Sequence, residues 1–480
     1  MNFLKLSGSV AAIAAPLWVA LVACDSESVG GGASLGGGAL GGAGPEGGLG
    51  GGASSEDGLT DLSAFSVVPC QIETQIELAP MSLVGSLRFT AALVGAERAF
   101  VRFGMPAGGT LEAPVDFEAE GHRTLLLGLA ANQTVRYRVF VLAGASVCSS
   151  EEATFMTGPL PTGSPGGAEF TRGASRASAA PGYIFVPERS FATILNKQGQ
   201  VVWSHDLGTT LTSVSQSWDG KYMYARDAGQ FDAGEGGKIW RVSMDGAQKE
   251  ELDLPGGSHH DLVVYPDGFA YIAKLEHGAC DHIFVAAPDG SEAHSLVDLD
   301  PFLTPFPSGK SLEHCHVNSI QYSKKGRFFT VSDRERDVVL KFSEQGEFMA
   351  SIGQAPSTEL PQAIVAEGSG ETWRVQHGHD WYQDDSFVVF SNGSFDEGVS
   401  RVLHYTIVGA AAVLDWRYEQ LGFSPVFSSV RHLENGNFLV LSAQQHRLVE
   451  IDPEQEVVWE ANYGSSYARH RQSLYGTPSD

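Results

Sequence analysis

Past Gly182 the chain repeats one pattern, and that repetition restricts its fold more than anything else in it. A strand runs into a Gly or Asp-Gly turn, and a second strand, often carrying Trp, follows. The copies begin at Ile194, Val242, Val285, Lys341, Tyr405 and Ile451, six in all. Between them lie five copies of a second hairpin, turning at Asp219-Gly220, Asp267-Gly268, Lys325-Gly326, Asp384-Asp385 and Asn435-Gly436. Short β-branched and aromatic runs separated by such turns read as strands. Two hairpins per unit make the four strands of a propeller blade, and a period of roughly forty to sixty residues suits blades with inserted loops. The pattern predicts an all-β chain in which residues 182–480 form a six-bladed β-propeller. Gly182-Tyr-Ile-Phe-Val is expected to complete the last blade and close the ring, leaving no free sheet edge.

The segment before the propeller divides by composition. Residues 1–24 carry Lys5 ahead of an apolar run too short for a comfortable membrane span. That run ends in Leu21-Val22-Ala23-Cys24, which looks like a bacterial lipobox. Lipidation of Cys24 would anchor the protein to a membrane without crossing it, in the bacterial cell envelope, on the periplasmic side or the outer surface. Residues 25–65 are rich in Gly, Ser and Ala and cannot bury a core, so they read as a flexible tether. Residues 66–157 hold regularly spaced short strands, expected to form a small β-sandwich. Leu129-Ala-Ala-Asn-Gln-Thr-Val-Arg-Tyr137 resembles the tyrosine-corner region of a fibronectin type III domain. Residues 158–181, rich in Pro, Gly, Ser and Ala, read as a linker.

With Cys24 lipidated, Cys70, Cys148, Cys280 and Cys315 remain, an even number for an oxidising compartment. The order of the domains suggests Cys70–Cys148 and Cys280–Cys315. A free-thiol role for Cys315, between His314 and His316, is the less favoured alternative. The formal charge of −26 and the lack of a basic block argue against nucleic acid and anionic lipid as partners. Any anionic substrate must therefore meet positive potential that is built locally.

Histidines recur in phase with the repeat. His259-His260 precedes the turn at 267–268, His314-Cys-His316 the turn at 325–326, and His377-Gly-His379 the turn at 384–385. In each of three consecutive blades this places imidazoles where the channel-lining strand begins. The ends of the Glu313–Gly353 hairpin should also bring His316 beside Arg334. Imidazoles, Arg334 and the Asn318 amide at one funnel suit a tetrahedral oxyanion. The pairs His314/His316 and His377/His379 also offer a metal-site reading, which Arg334 weakens by repelling a cation.

Residues 259–475 resemble the bacterial arylsulfate sulfotransferases, the type independent of a nucleotide sulfate donor. The matching pieces are His260-Asp-Leu with Pro-Asp-Gly, His316-Val-Asn-Ser with Ser332-Asp-Arg334, Gln376-His377-Gly, Asn392-Gly with Ser400-Arg-Val-Leu-His-Tyr, and Tyr467-Ala-Arg-His-Arg. The resemblance implies a six-bladed propeller that moves a sulfuryl group from an aryl sulfate donor to a phenolic acceptor through a sulfohistidine, with no cofactor and no metal. Carried over by position, His377 is the nucleophile, and Arg334, Asn318 and His260 hold the sulfuryl oxygens. His316 transfers the proton, a role it could exchange with His260, while His259 could replace His260 at the funnel. Where the family usually has Ser-Ser-Arg, this chain has Ser332-Asp333-Arg334, which puts a carboxylate beside the clamp. The competing reading is a lipid-tethered propeller that binds a sulfated or other anionic ligand without turnover. Oligomeric state is left open by both readings.

Overall fold

The computed structural model describes residues 59–104, 109–117, 121–172, 179–229, 236–276, 279–304, 306, 315–353, 363–367 and 372–478. Residues 1–24 with Cys24, most of the expected tether and His314 lie outside them. Within them the regular secondary structure is almost wholly strand, arranged as a six-bladed propeller behind a small sandwich.

In the sandwich, Ile72–Leu78, Gly85–Ala91 and Thr124–Leu126 form one sheet. Ser66–Val67, Ser146–Ser149, Thr134–Ala143, Arg98–Gly104 and Thr110–Pro114 form the other, with Ala153–Met156 also pairing to Thr134–Ala143. The period of two decides which residues face inward. Val135, Tyr137, Val139 and Val141 are buried on one strand and meet Leu87 and Phe89 from the opposing sheet. Cys70–Cys148 ties the start of one sheet to the other, with Cα atoms 5.9 Å apart.

Blade 2 is Leu211–Gln216, Tyr222–Asp227, Ile239–Ser243 and Lys249–Leu252. Blade 3 is Gly257–Tyr265, Gly268–Lys274, His282–Ala286 and His294–Asp298. Blade 4 is Val317–Ser323, Phe328–Asp333, Val338–Ser343 and Phe348–Gly353. Blade 5 is His377–Gln383, Ser386–Ser391, Arg401–Val408 and Ala411–Tyr418. Blade 6 is Ser429–His432, Phe438–Ser442, Arg447–Ile451 and Val457–Asn462. The first-named strand of each lies innermost, and these strands pack side by side around one axis.

Ring closure differs from the expectation. Tyr183–Glu188 does not complete the last blade. It is the second strand of blade 1, with Phe191–Asn196 and Val201–Asp206 outside it, and the C-terminal Arg469–Arg471 supplies the innermost strand. This explains why the sequence holds only five inner hairpins: in blade 1 the two strands of that hairpin come from opposite ends of the propeller. The stretch read as a linker also contributes structure, because Glu169–Arg172 pairs outside Val457–Asn462 as a fifth strand of blade 6. Ala363–Glu367 runs parallel to both Phe348–Gly353 and Ala411–Tyr418, so the outer edges of blades 4 and 5 are paired.

Side-chain pattern changes with distance from the axis. A middle strand such as Phe438–Ser442 is buried on both faces and reads as an apolar run up to its final serine. An outer strand, Ala411–Tyr418, alternates half-buried with exposed positions along most of its length. The innermost strands carry small and polar residues that are nevertheless buried, among them Ser213, Ser215, Asn318, Ser319 and Gln321, because the crowded axis has room for little else.

The sandwich sits directly on the propeller. Met81, Val84 and Leu127 share an apolar cluster with Trp203, Met244 and Leu474. The Tyr475 hydroxyl accepts from Leu127 N at 2.7 Å and donates to Leu125 O at 2.9 Å. Arg123 pairs with Asp245 at 2.8 Å. Asp245 and Tyr475 lie on the face where the innermost strands end, opposite the face where they begin.

Candidate functional site

The innermost strands of blades 2 to 5 share an irregularity near their starts. Pairing register shifts between Leu211 and Ser213, Ser258 and Leu262, Val317 and Ser319, and His377 and His379. An extra residue there bends the strand and re-aims its side chain. In blade 3 the shift contains His260 at φ +58°, and in blade 5 it contains Gly378 at φ +53°. A non-glycine residue in the left-handed region costs energy and is held there by its surroundings. An added Cβ on Gly378 would lie 2.5 Å from Ser429 Cα, so that position needs glycine on both counts.

These bends bring residues of three blades together. His316 Nε2 lies 3.3 Å from His260 Nε2, with ring centroids 4.9 Å apart. His260 Nδ1 lies 2.8 Å from His259 Nδ1, and His259 Nε2 lies 2.7 Å from Asp281 Oδ1. The carboxylate accepts only, so His259 carries its hydrogen on Nε2. His260 then donates from Nδ1 to His259, and His316 donates from Nε2 to His260. Asp281 is fully buried, and its other oxygen accepts from Val317 N at 2.8 Å. The Cys280–Cys315 disulfide, with Cα atoms 5.0 Å apart, flanks both Asp281 and His316. Both remaining cysteine pairs are therefore disulfides, and Cys315 is not a free thiol.

His259 does not take the place of His260. It is buried, both of its ring nitrogens are bonded, and it supports its neighbour from behind. Burial first, then the proximity of His316, His259, His377 and Arg226, holds His260 well below the ordinary imidazole pKa.

His377 has a different support. Asn392 donates from Nδ2 to Ser424 O at 2.6 Å and to Phe427 O at 3.0 Å, so its Oδ1 must face His377 Nδ1, 2.9 Å away. That geometry puts the hydrogen of His377 on Nδ1 and leaves a lone pair on Nε2. Burial, and after it the Arg334 guanidinium, pushes the His377 pKa down to about 3, against the Asn392 contact. The ring is neutral at pH 7.

Arg334 and His316 are cross-strand neighbours, with Arg334 N donating to His316 O at 3.0 Å. The adjacent Asp333 does not neutralise the clamp. Its carboxylate is buried and accepts from His316 N and Arg336 N, each at 2.9 Å. Glu335 pairs with Arg334 instead, at 3.1 Å. Asn318 donates from Nδ2 to Gln376 O at 2.7 Å, fixing the main chain just before His377. What remains to it is a second Nδ2 hydrogen and a buried Oδ1 with no partner among the described residues. Tyr467 donates to Asn318 O at 2.8 Å.

The bulge also breaks the two-residue alternation that would set His377 and His379 on one face. His379 Nε2 meets Thr330 Oγ1 at 2.8 Å. No three His, Cys, Asp or Glu side chains converge as a metal site among the described residues. Sequence reading missed Asp281 and the tautomer-fixing role of Asn392. A lone aspartate after a cysteine carries no signal, and Asn392 was visible only as part of a matching motif.

Residues 300–475 match the family model for Arylsulfotransferase (ASST). The match holds His316, Asn318, Arg334, His377 and Asn392, whereas His259, His260 and Asp281 lie before it. No curated protein matches the chain. Among solved structures, it is similar to Kuenenia stuttgartiensis hydrazine synthase at 11% identity, over 67% of this chain and 93% of that one, with a TM-score of 0.40. A streptogramin B lyase is similar at 11% identity over 70% and 90%, with a TM-score of 0.35. A putative TolB from Agrobacterium tumefaciens is similar at 16% identity over 61% and 99%, with a TM-score of 0.36. At these scores the likenesses carry no argument about function.

Proposed function

We propose, taking the arylsulfotransferase match over residues 300–475 as the premise, that the chain transfers a sulfuryl group from an aryl sulfate to a phenol in two steps through His377. The observation that carries this reading is the locked tautomer of His377. A neutral, buried imidazole with its hydrogen tied to Asn392 presents Nε2 as a nucleophile.

In the first step the Nε2 lone pair attacks sulfur, an N–S bond forms, and the S–O bond to the aryl group breaks. The phenolate leaves with the bonding electrons and takes a proton from an imidazolium, which is left as a neutral imidazole. Arg334, with the spare Asn318 hydrogen, meets charge on the sulfuryl oxygens, as fixed donors do for phosphoryl groups. In the second step an acceptor phenol returns a proton to that imidazole, its oxygen attacks sulfur, and the N–S bond breaks. His316 is assigned the proton transfer, since it ends the chain of hydrogen bonds that begins at Asp281. His260 is assigned to orient His316.

Intact-mass measurement after incubation with 4-nitrophenyl sulfate and no acceptor tests the proposal. One added SO₃ on wild type, absent from His377→Asn, is expected. Sustained transfer by His377→Asn would end it. Cys24 belongs to the same proposal: lipidation there would keep the enzyme at the cell envelope, and mass spectrometry of the mature N-terminus reads it directly.

A further inference from the structure

The channel has a second mouth, which the chemistry above leaves unused. A cavity of about 400 Å³ opens where the innermost strands end, lined from all six blades. Arg469 separates it from the histidines. From blade 1 it reaches Asp261 Oδ1 of blade 3 at 2.6 Å and Gln321 Oε1 of blade 4 at 3.4 Å. Its guanidinium thus crosses the axis.

The lining is cationic in a chain of formal charge −26. Lys324, Lys325, Arg431, Arg469 and Arg471 face two carboxylates, Asp380 and Glu434. Arg469 is answered by Asp261. Arg431 and Arg471 are buried, and among the described residues neither has a carboxylate in ion-pair contact, although Asp380 and Asp261 lie near Arg431 and Asp219 near Arg471. Arg431 Nη1 donates to His379 O at 3.1 Å, and Arg471 Nη1 to Ser217 O at 2.7 Å. Carbonyl oxygens satisfy hydrogen bonds but do not cancel a charge, and a carboxylate at a distance compensates a buried charge less fully than one in contact. The Gln216 Oε1 and Arg471 Nε atoms in this lining are buried and have no hydrogen-bond partner among the described residues. Aromatic rings stand beside the charges: Trp218 meets Tyr322 edge-on at 5.8 Å, and Tyr382 stacks on His432 at 3.9 Å.

We propose that this far mouth is a second ligand site, taking a small aromatic anion whose charge meets Arg431 and Arg471 and whose ring lies against Trp218, Tyr322 and Tyr382. An anion there supplies the direct charge contact the two guanidiniums lack, while flat rings favour an aromatic body. The site rests on none of the histidine chemistry.

Calorimetric titration of the full chain carrying His377→Asn, which prevents any transfer through that residue, tests it. The ligands, titrated at about pH 5.5 so that the phenol stays protonated while both anions stay charged, are 4-nitrophenyl sulfate, 4-nitrobenzoate and neutral 4-nitrophenol. The expected result is a binding event seen with both anions and absent with 4-nitrophenol. It should weaken about tenfold in Lys325→Glu, an exposed change that leaves the core intact, and vanish in Arg431→Met. The proposal is overturned if the anions bind no better than 4-nitrophenol, or if anion binding is the same in Lys325→Glu. Sulfohistidine formation is read separately on wild type, so either proposal can fail alone.

Discussion

The two ends of the channel are made from the same innermost strands and offer opposite chemistry. At the end where the strands begin, register shifts in blades 2 to 5 bend the backbone, and the imidazoles of blades 3 to 5 converge on one another. At the far end the pairing of blades 2, 3, 4 and 6 is regular, and the lining is rich in lysine and arginine. Irregular backbone lets short side chains reach a shared point and fixes which nitrogen carries each hydrogen. Regular backbone with long side chains gathers charge without fixing it so tightly. The first arrangement suits bond making, and the second suits holding an ion.

If that contrast is right, substitutions where the strands begin must affect turnover in a graded way. His377→Asn should lower transfer from 4-nitrophenyl sulfate by on the order of 10⁴-fold or more, as loss of a covalent nucleophile does. A loss below tenfold would break the contrast at its strongest point. Arg334→Met should reduce kcat by about 10²- to 10³-fold, the usual size for one lost oxyanion donor. An unchanged kcat would mean that Glu335 already neutralises the clamp.

Asp281→Asn should act through His259 and His260 and cost about 10- to 100-fold. The loss should grow as the leaving phenol becomes more basic, because a poorer leaving group depends more on its proton donor. An equal loss for nitrophenyl and unsubstituted phenyl sulfate would reduce Asp281 to a structural residue.

The smallest effect expected is on pH dependence. Burial lowers His377 and His379 to about 3, and His432 and His470 to about 4. The unfolded chain binds protons at these histidines near pH 6.5, while the folded chain stays neutral. Stability contributed by their burial is therefore fully present above about pH 6.5 and is lost as pH falls toward the folded values. Thermal unfolding midpoints should drop between pH 7.5 and pH 5. A midpoint rising over that interval would contradict the buried, neutral rings.

Much of the architecture was legible because it rests on local chemistry. Turn residues and β-branched runs at a steady spacing announced four strands per unit, and the phase of His260, His316 and His377 within the units put them near one mouth. The pairing of His316 with Arg334 followed from hairpin geometry alone. Ring closure was not legible, since Tyr183–Glu188 and Arg469–Arg471 are nearly three hundred residues apart and no local pattern joins them. Nor was the role of His259: adjacent histidines look alike until the left-handed backbone at His260 turns one ring toward Asp281 and the other toward His316.

The amino-acid order determined the class of fold, the number of blades and the residue types at the channel, because periodicity and turn preference act between near neighbours. Which imidazole nitrogen is free, which carboxylate answers which cation, and which buried guanidinium has no carboxylate in contact were decided by contacts between blades. Hydrogen bonds and charge pairing depend on distances of a few ångströms, and only the closed ring sets those distances.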